Sequence, residues 1–278
     1  MSPHDQDDRS DPPLGDPPLK ETSEVPYQNQ KFCWHGVIST NAERAKAFYP
    51  EVLGWKVMTA PMGDTEATMF AAGGVPRLHL SEPHMPGVPS HWENYLRVAD
   101  VDASTRAAAE HGGKVMVPPT DIPPGRFSVV TSPSGAVLHL FHEADEGRSE
   151  NPPAGPGSIH WTELHSTDVD ADLAWLKGTL GVTVESMPMP NGGAYYLLNG
   201  ESGPLGGAMA AMNPGAPAYW LTWVEVDNAD DALDRVKRHG GTGMTPVMEM
   251  PDIGRMAVVA DPTGAVFGVI TPPKRAAL

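Results

Sequence analysis

The segment Gly125-Arg-Phe-Ser-Val-Val-Thr-Ser-Pro-Ser-Gly-Ala-Val-Leu-His-Leu140 returns as Gly254-Arg-Met-Ala-Val-Val-Ala-Asp-Pro-Thr-Gly-Ala-Val-Phe-Gly-Val269. Gly-Arg, Val-Val, Pro and Gly-Ala-Val keep one register, so the chain contains a duplicated unit. Its 278 residues are enough for two domains of ordinary size. The copies differ at one chemically telling position, where His139 becomes Gly268.

Each half repeats a simpler pattern. Phe32 to Ile38 and Ile159 to His165 read as strands that lead into helices begun by Asn41 and Asp168, residues suited to capping first-turn N–H groups. A second strand follows in each half (Trp92 to Val98; Trp220 to Val226), then a helix ending at His111-Gly-Gly or His239-Gly-Gly. Hairpins carry Gly125 to Phe141 and Gly254 to Ile270. Pro50 falls inside the first helical pattern and is expected to shorten or bend it. The reading is an α+β protein of two tandem domains. Each domain is a pair of βαβββ modules forming a curled mixed sheet around a cavity.

The domains fall at about residues 31–142 and 158–272. Residues 1–30 are rich in Pro and Asp and lack hydrophobic periodicity, which predicts a disordered acidic tail; 143–157 reads as an exposed linker and 273–278 as a short tail. A net charge of −16 argues against binding to a nucleic-acid backbone. No apolar run approaches the roughly 20 residues of a membrane span, and the acidic start is unlike a secretory signal. The single cysteine, Cys33, allows no intrachain disulfide and no thiolate metal cluster. These features point to a cytoplasmic protein acting on small molecules or on other proteins; monomer and homodimer are both open.

Strand alternation places ionisable side chains on common faces. His79 lines up with Arg77 and Ser81; Glu93 lines up with Tyr95 and Arg97; His139 stands between Val137 and Phe141. Two imidazoles and one carboxylate make a competent ligand set for a mononuclear divalent metal. With an open face the set favours Fe(II), and Zn(II), Mn(II) or Ni(II) are compatible. The competing reading has His79 and Glu93 on a solvated face and His139 as a core histidine. In the second half Trp161, Glu163 and His165 alternate along one strand, near the aromatic residues Tyr195, Trp220 and Trp223. Glu163 and His165 would form an acid–base pair if they shared a cavity; otherwise they read as polar lining or interface residues of a domain without a metal, and aromatic walls suit a flat apolar ligand. His91 and His142 read as surface histidines, and His160 faces away from the cavity if Trp161 faces in.

Trp34, the Ser-Thr-Asn41 turn, Lys46-Ala-Phe-Tyr, Leu53-Gly-Trp, Val98-Ala-Asp-Val-Asp-Ala, His111-Gly-Gly and the two Gly-Ala-Val hairpins resemble the vicinal oxygen chelate superfamily. That superfamily includes glyoxalase I, bleomycin-resistance proteins and extradiol dioxygenases; the likeness is to its tandem two-domain glyoxalase type. It implies a divalent metal inside the curled sheet, held from the first, fourth, fifth and eighth strands of a domain. Those positions fall on Trp34, His79, Glu93 and His139, and in the second half on Trp161, Gly207, Leu221 and Gly268. Trp34 cannot ligate, and the order His, Glu, His differs from that of the extradiol dioxygenases. What the resemblance implies is a metal-dependent lyase or dioxygenase acting on a small oxygenated substrate, aromatic ones included. His79, Glu93 and His139 would hold the ion and Tyr95 and Arg97 would act on the substrate, with Trp34, Trp161, Glu163, His165 and Trp223 lining it. The alternative is a non-catalytic small-molecule binder of the bleomycin-resistance type. An interaction module using the acidic tail is a third reading.

Overall fold

Two mixed sheets, each assembled from a pair of βαβββ modules, account for nearly all the regular structure. The computed structural model describes residues 29–63, 65–145, 154–189, 192–213 and 215–273. The first module is β1 (Lys31–Ile38), α1 (Ala42–Leu53), β2 (Lys56–Met62), β3 (Thr65–Ala72) and β4 (Val75–Ser81). The second is β5 (His91–Arg97), α2 (Val101–Glu110), β6 (Lys114–Ile122), β7 (Gly125–Thr131) and β8 (Val137–Glu143). Their strands join in the order β2-β3-β4-β1-β5-β8-β7-β6. β1 runs parallel to β4, β5 runs parallel to β8, and the antiparallel β1–β5 pair joins the modules.

The second half repeats this with β9 (Ile159–Ser166), α3 (Val169–Leu180), β10 (Thr183–Pro188), β11 (Ala194–Gly200) and β12 (Gly203–Ala210). Its fourth module holds β13 (Tyr219–Glu225), α4 (Ala229–Arg238), β14 (Thr242–Gly243), β15 (Met248–Met250), β16 (Gly254–Ala260) and β17 (Val266–Thr271). The order β10-β11-β12-β9-β13-β17-β16-β14 matches the first sheet, except that β14 and β15 together stand where β6 is one strand. The duplicated α+β architecture expected from the repeat is therefore the one observed.

Local signals act as the sequence suggests. Asn41 Oδ1 accepts from the Arg44 N–H at 3.0 Å and Asp168 Oδ1 from the Ala171 N–H at 3.1 Å, each closing a first-turn donor. Pro50 does not shorten its helix. α1 and α3 both have 12 residues, and both end at a left-handed glycine, Gly54 or Gly181. Burial of Phe48, Tyr49, Val52 and Leu53 on the same turns offsets the backbone bond the proline lacks.

The helix-bearing faces of the two sheets pack together and share two cores. One joins Val37, Phe48, Tyr49, Trp55 and Trp92 of the first half to Val224, Leu233, Phe267 and Val269 of the second. The other joins Leu96, Leu138 and Leu140 to Leu164, Trp175, Leu176 and Trp220. Buried hydrogen bonds cross the same boundary: the Trp175 indole donates to the Ala108 carbonyl at 3.0 Å, and Thr222 Oγ1 to Asn94 Oδ1 at 2.6 Å.

The segment limits need small corrections. β8 runs through Glu143, which the composition assigns to the linker. Gln30, assigned to the tail, is tied down: its Oε1 accepts from the Glu201 N–H at 2.8 Å and its side-chain amide donates to the Leu180 carbonyl. The rest of the tail up to residue 28, linker residues 146–153 and residues 274–278 lie outside the described residues. Among the described residues no helix is long and apolar enough to cross a membrane.

Candidate functional site

With one face of each sheet committed to the shared cores, the other face carries the polar side chains. In the first sheet, β-pairing sets Gly36 of β1 opposite both His79 and Glu93, Trp34 opposite Tyr95, and Tyr95 opposite His139. These alternating positions share one face, and their side chains converge. Glu93 is the hub. Its Oε2 lies 3.2 Å from Nε2 of His79 and accepts from the Tyr95 hydroxyl at 3.1 Å. Its Oε1 lies 3.5 Å from Nε2 of His139 and 4.0 Å from Nε2 of His91. The Tyr95 ring stacks on His139 with centroids 4.4 Å apart.

A bulge in β1 at Cys33 separates Phe32 from Trp34 in the pairing with β5. It turns the Trp34 indole onto the cluster, where Nε1–H donates to Nδ1 of His79 at 3.1 Å. Gly36 makes room for the imidazole: a Cβ there would lie 2.4 Å from Cε1 and 2.6 Å from Nε2 of His79. His35 points to the opposite, buried face, where burial and then the charge of His79 push its pKa down to about 3.

The electrostatics follow from this packing. Burial pushes the Glu93 carboxyl up, but hydrogen bonds and charge from His139 and His79 outweigh it and hold the group well below the usual carboxylate range. Burial and the Glu93 charge push the Tyr95 phenol well above its ordinary value, so it stays protonated and donates. Nδ1 of His139 is buried with no hydrogen-bond partner.

Whether a divalent metal fits turns on protons more than on spacing. The 3.2 and 3.5 Å separations between the imidazole nitrogens and the Glu93 oxygens are close to those of neighbouring ligands around a metal with bonds of about 2.1 Å. An indole nitrogen, however, is a donor only, so Nδ1 of His79 must present its lone pair to Trp34. The neutral ring then carries its hydrogen on Nε2, the atom a metal at this face would need bare. A metal-ligating histidine ordinarily donates from its other nitrogen, the reverse of this arrangement. Among the described residues no three His, Cys, Asp or Glu side chains are grouped to hold a metal ion. As arranged, the cluster does not fit one.

Arg97 stands apart from the cluster. Its guanidinium is taken up by Glu143, with Nε donating to both carboxylate oxygens at 2.9 Å. The sequence hid this partner because Glu143 reads as linker and proves to be the last residue of β8.

The second sheet carries a different network at the same register. Glu163 of β9 faces Gly207 and Leu221, while Trp161 faces Trp223 and Trp223 faces Gly268. Glu163 Oε1 is 2.9 Å from Nε2 of His165, and Oε2 accepts from the Tyr195 hydroxyl at 2.9 Å. That hydroxyl accepts from the Trp161 indole at 2.7 Å. Tyr195 occupies the space above Gly207, where a Cβ would lie 1.9 Å from its oxygen, and Trp223 covers Gly268 at 2.1 Å. Glu163 and His165, offered by the sequence as a pair only if they share a cavity, lie within hydrogen-bonding distance and are both buried. Trp223, expected to line a ligand, is itself buried in a cluster with Leu221, Val258 and Ile270. Sequence reasoning recognised Tyr195 only as aromatic surface and missed it as the hub of this network. His91, read as a surface histidine, has an exposed side chain and edges the Glu93 site.

Comparison with known proteins adds a family-level finding. The model for the "Glyoxalase/Bleomycin resistance protein/Dioxygenase superfamily" matches residues 34–140 and 124–269. The chain is 32% identical over 252 residues to the Mycobacterium tuberculosis protein named "Putative glyoxylase CFP32", covering 88% of this chain and 96% of that one. It is 26% identical to the anthracycline biosynthesis protein DauV of a Streptomyces species, covering 86% and 92%. The Mn(II)-bound glyoxalase from Novosphingobium aromaticivorans shares the fold, with a TM-score of 0.61 and 18% identity over 87% of this chain and 82% of that one. So does the 2,3-dioxygenase LapB from Pseudomonas, with a TM-score of 0.59 and 15% identity over 89% and 96%.

Proposed function

The chain belongs to the glyoxalase/bleomycin resistance protein/dioxygenase superfamily, and on that premise we propose that it is an enzyme acting on a small oxygenated substrate at the Glu93 cluster of the first domain. One observation carries the proposal: two imidazoles and a phenol gather on one ionised carboxylate there. The equivalent positions of the second domain hold Gly207, Leu221 and Gly268.

The chemistry follows from the protonation states. A carboxylate held this far below its usual range is a weak base, so Glu93 orients its neighbours rather than abstracting a proton. Glu93 draws the Nε2–H of His139 toward itself and leaves Nδ1 with a lone pair and no partner. That nitrogen is the proton acceptor of the site, buttressed through its opposite side as in a carboxylate–imidazole dyad. Tyr95 donates to an oxygen of the substrate. Because its ring stacks on His139, it must shift to admit the substrate to Nδ1. Relatives named for glyoxalase and dioxygenase activities support 2-oxoaldehydes and catechols as the substrate classes to try first.

A metal-dependent lyase or dioxygenase is a second reading, favoured by the spacing of the donors and by the Mn(II)-bound structural neighbour. It requires His79 to be released from Trp34. Non-catalytic binding of a small molecule is a third reading, favoured by the aromatic side chains Trp34 and Tyr95 beside the cluster.

The test is turnover of 2-oxoaldehydes, free and as thiol adducts, and of catechols by the wild type, Glu93→Gln and Glu163→Gln. Loss of about a hundredfold in Glu93→Gln with near-wild-type turnover in Glu163→Gln is expected. Equal turnover in Glu93→Gln and wild type would sink the proposal.

A further inference from the structure

Trp34 stands on β1 beside the cluster without being able to ligate anything, yet its indole makes a directed contact there. Nε1–H donates to Nδ1 of His79 at 3.1 Å, while Nε2 of the same ring lies 3.2 Å from Glu93 Oε2. The indole has no lone pair to offer in return, so the direction of the bond is fixed by chemistry. With Nδ1 accepting, the neutral imidazole has one arrangement left: its hydrogen on Nε2, donated to Glu93.

We infer that Trp34 is a metal-excluding residue, which fixes His79 in the Nε2–H tautomer and so keeps divalent cations out of the first domain's cluster. Gly36 reinforces the lock. The imidazole rests on bare β1 backbone, where a Cβ would come within 2.4 Å of Cε1 and 3.0 Å of Glu93 Oε2. His79 is thus held from one side by the indole and from another by the strand. The other two donors meet no such obstacle: Nδ1 of His139 is unpartnered and can take the proton that Nε2 would give up. The obstacle to a three-ligand site is therefore a single hydrogen bond. Trp161 supplies a built-in control, because its indole donates to the Tyr195 hydroxyl instead of an imidazole.

The inference concerns the same Glu93 cluster as the functional reading, and it is tested separately. Nitrogen-15 correlation of the imidazoles in the full-length protein reads the His79 tautomer directly. Calorimetry with Mn(II), Fe(II), Zn(II) or Ni(II), each alone, reads metal affinity in the wild type, Trp34→Phe, Trp34→Phe/Glu93→Gln and Trp161→Phe. The expected results are an Nε2–H tautomer in the wild type and affinity at least about tenfold higher in Trp34→Phe. The gain is expected to vanish in the double variant and to be absent from Trp161→Phe. An Nδ1–H tautomer in the wild type, or equal affinities in wild type and Trp34→Phe, would overturn the inference. The second outcome, combined with lost turnover in Glu93→Gln, leaves the functional reading standing. A metal gain in Trp34→Phe beside unchanged turnover in Glu93→Gln removes the functional reading and keeps the tautomer lock.

Discussion

The outer faces of the two sheets share a backbone and differ in which strand carries the carboxylate. In the first, Glu93 stands on β5 and faces Gly36 of β1; in the second, Glu163 stands on β9, the counterpart of β1, and faces Leu221 of β13. The charge has crossed to the neighbouring strand, and its surroundings have changed with it. Around Glu93 the missing Cβ of Gly36 makes room for an imidazole. Around Glu163 the spaces above Gly207 and Gly268 are filled by Tyr195 and Trp223. One face keeps an unpartnered ring nitrogen, Nδ1 of His139, while the carboxylate of the other is closed into a network with His165 and Tyr195.

The largest effect should come from making the first face resemble the second. Glu93→Leu copies Leu221 and is expected to abolish turnover, by about a hundredfold or more, because His139 loses its orienting anion. Its melting temperature should fall, since Tyr95 and the two imidazoles lose their common acceptor in a buried setting; turnover per folded molecule beside a thermal melt checks both. Next in size is Gly268→Ala, whose Cβ would lie 2.1 Å from the Trp223 ring. Overpacking of this kind costs about 1–3 kcal/mol, to be read from the denaturant midpoint, and turnover per folded molecule should stay unchanged.

Glu163→Gln should cost about 1–2 kcal/mol, because one amide oxygen cannot accept from both His165 and Tyr195. It should leave ligand chemistry in the first domain intact. The smallest effect is on acid stability. The Glu93 carboxyl is depressed in the folded chain, so its contribution is complete above the unfolded value of about 4.3 and is lost as pH falls through the folded value. Below about pH 4 the wild type should therefore lose stability faster than Glu93→Leu, as compared by acid titration of the far-ultraviolet signal.

The fold was legible because its evidence is redundant: capped helix starts, His-Gly-Gly ends and Gly-Ala-Val hairpins recur in register, and each is local. The faces were legible for the same reason, since alternation along β4, β5 and β9 needs only neighbours in sequence. It placed Glu93 with Tyr95 and Glu163 with His165 on common faces, and the family resemblance brought His79 to the first pair. What alternation does not contain is the partner arriving from elsewhere. Arg97 reads as acting on the substrate beside Tyr95 until β8 is seen to continue to Glu143. Tyr195 reads as aromatic surface until β11 brings its hydroxyl over Gly207. Trp34 reads as a broken ligand position, and only the bulge at Cys33 and the contact with His79 show its indole donating to an imidazole. Pro50 misled for a related reason: tertiary burial of α1 outweighs a local propensity.

The most direct test of the central claim is the crystal structure of the protein soaked with a small oxygenated ligand, a 2-oxoaldehyde or a catechol. The account predicts the ligand on the first sheet, with an oxygen within hydrogen-bonding distance of Tyr95 or His139 and the Tyr95 ring moved from its place on the imidazole. A ligand seated on Glu163 and His165, with the Glu93 cluster closed and unchanged, would contradict it.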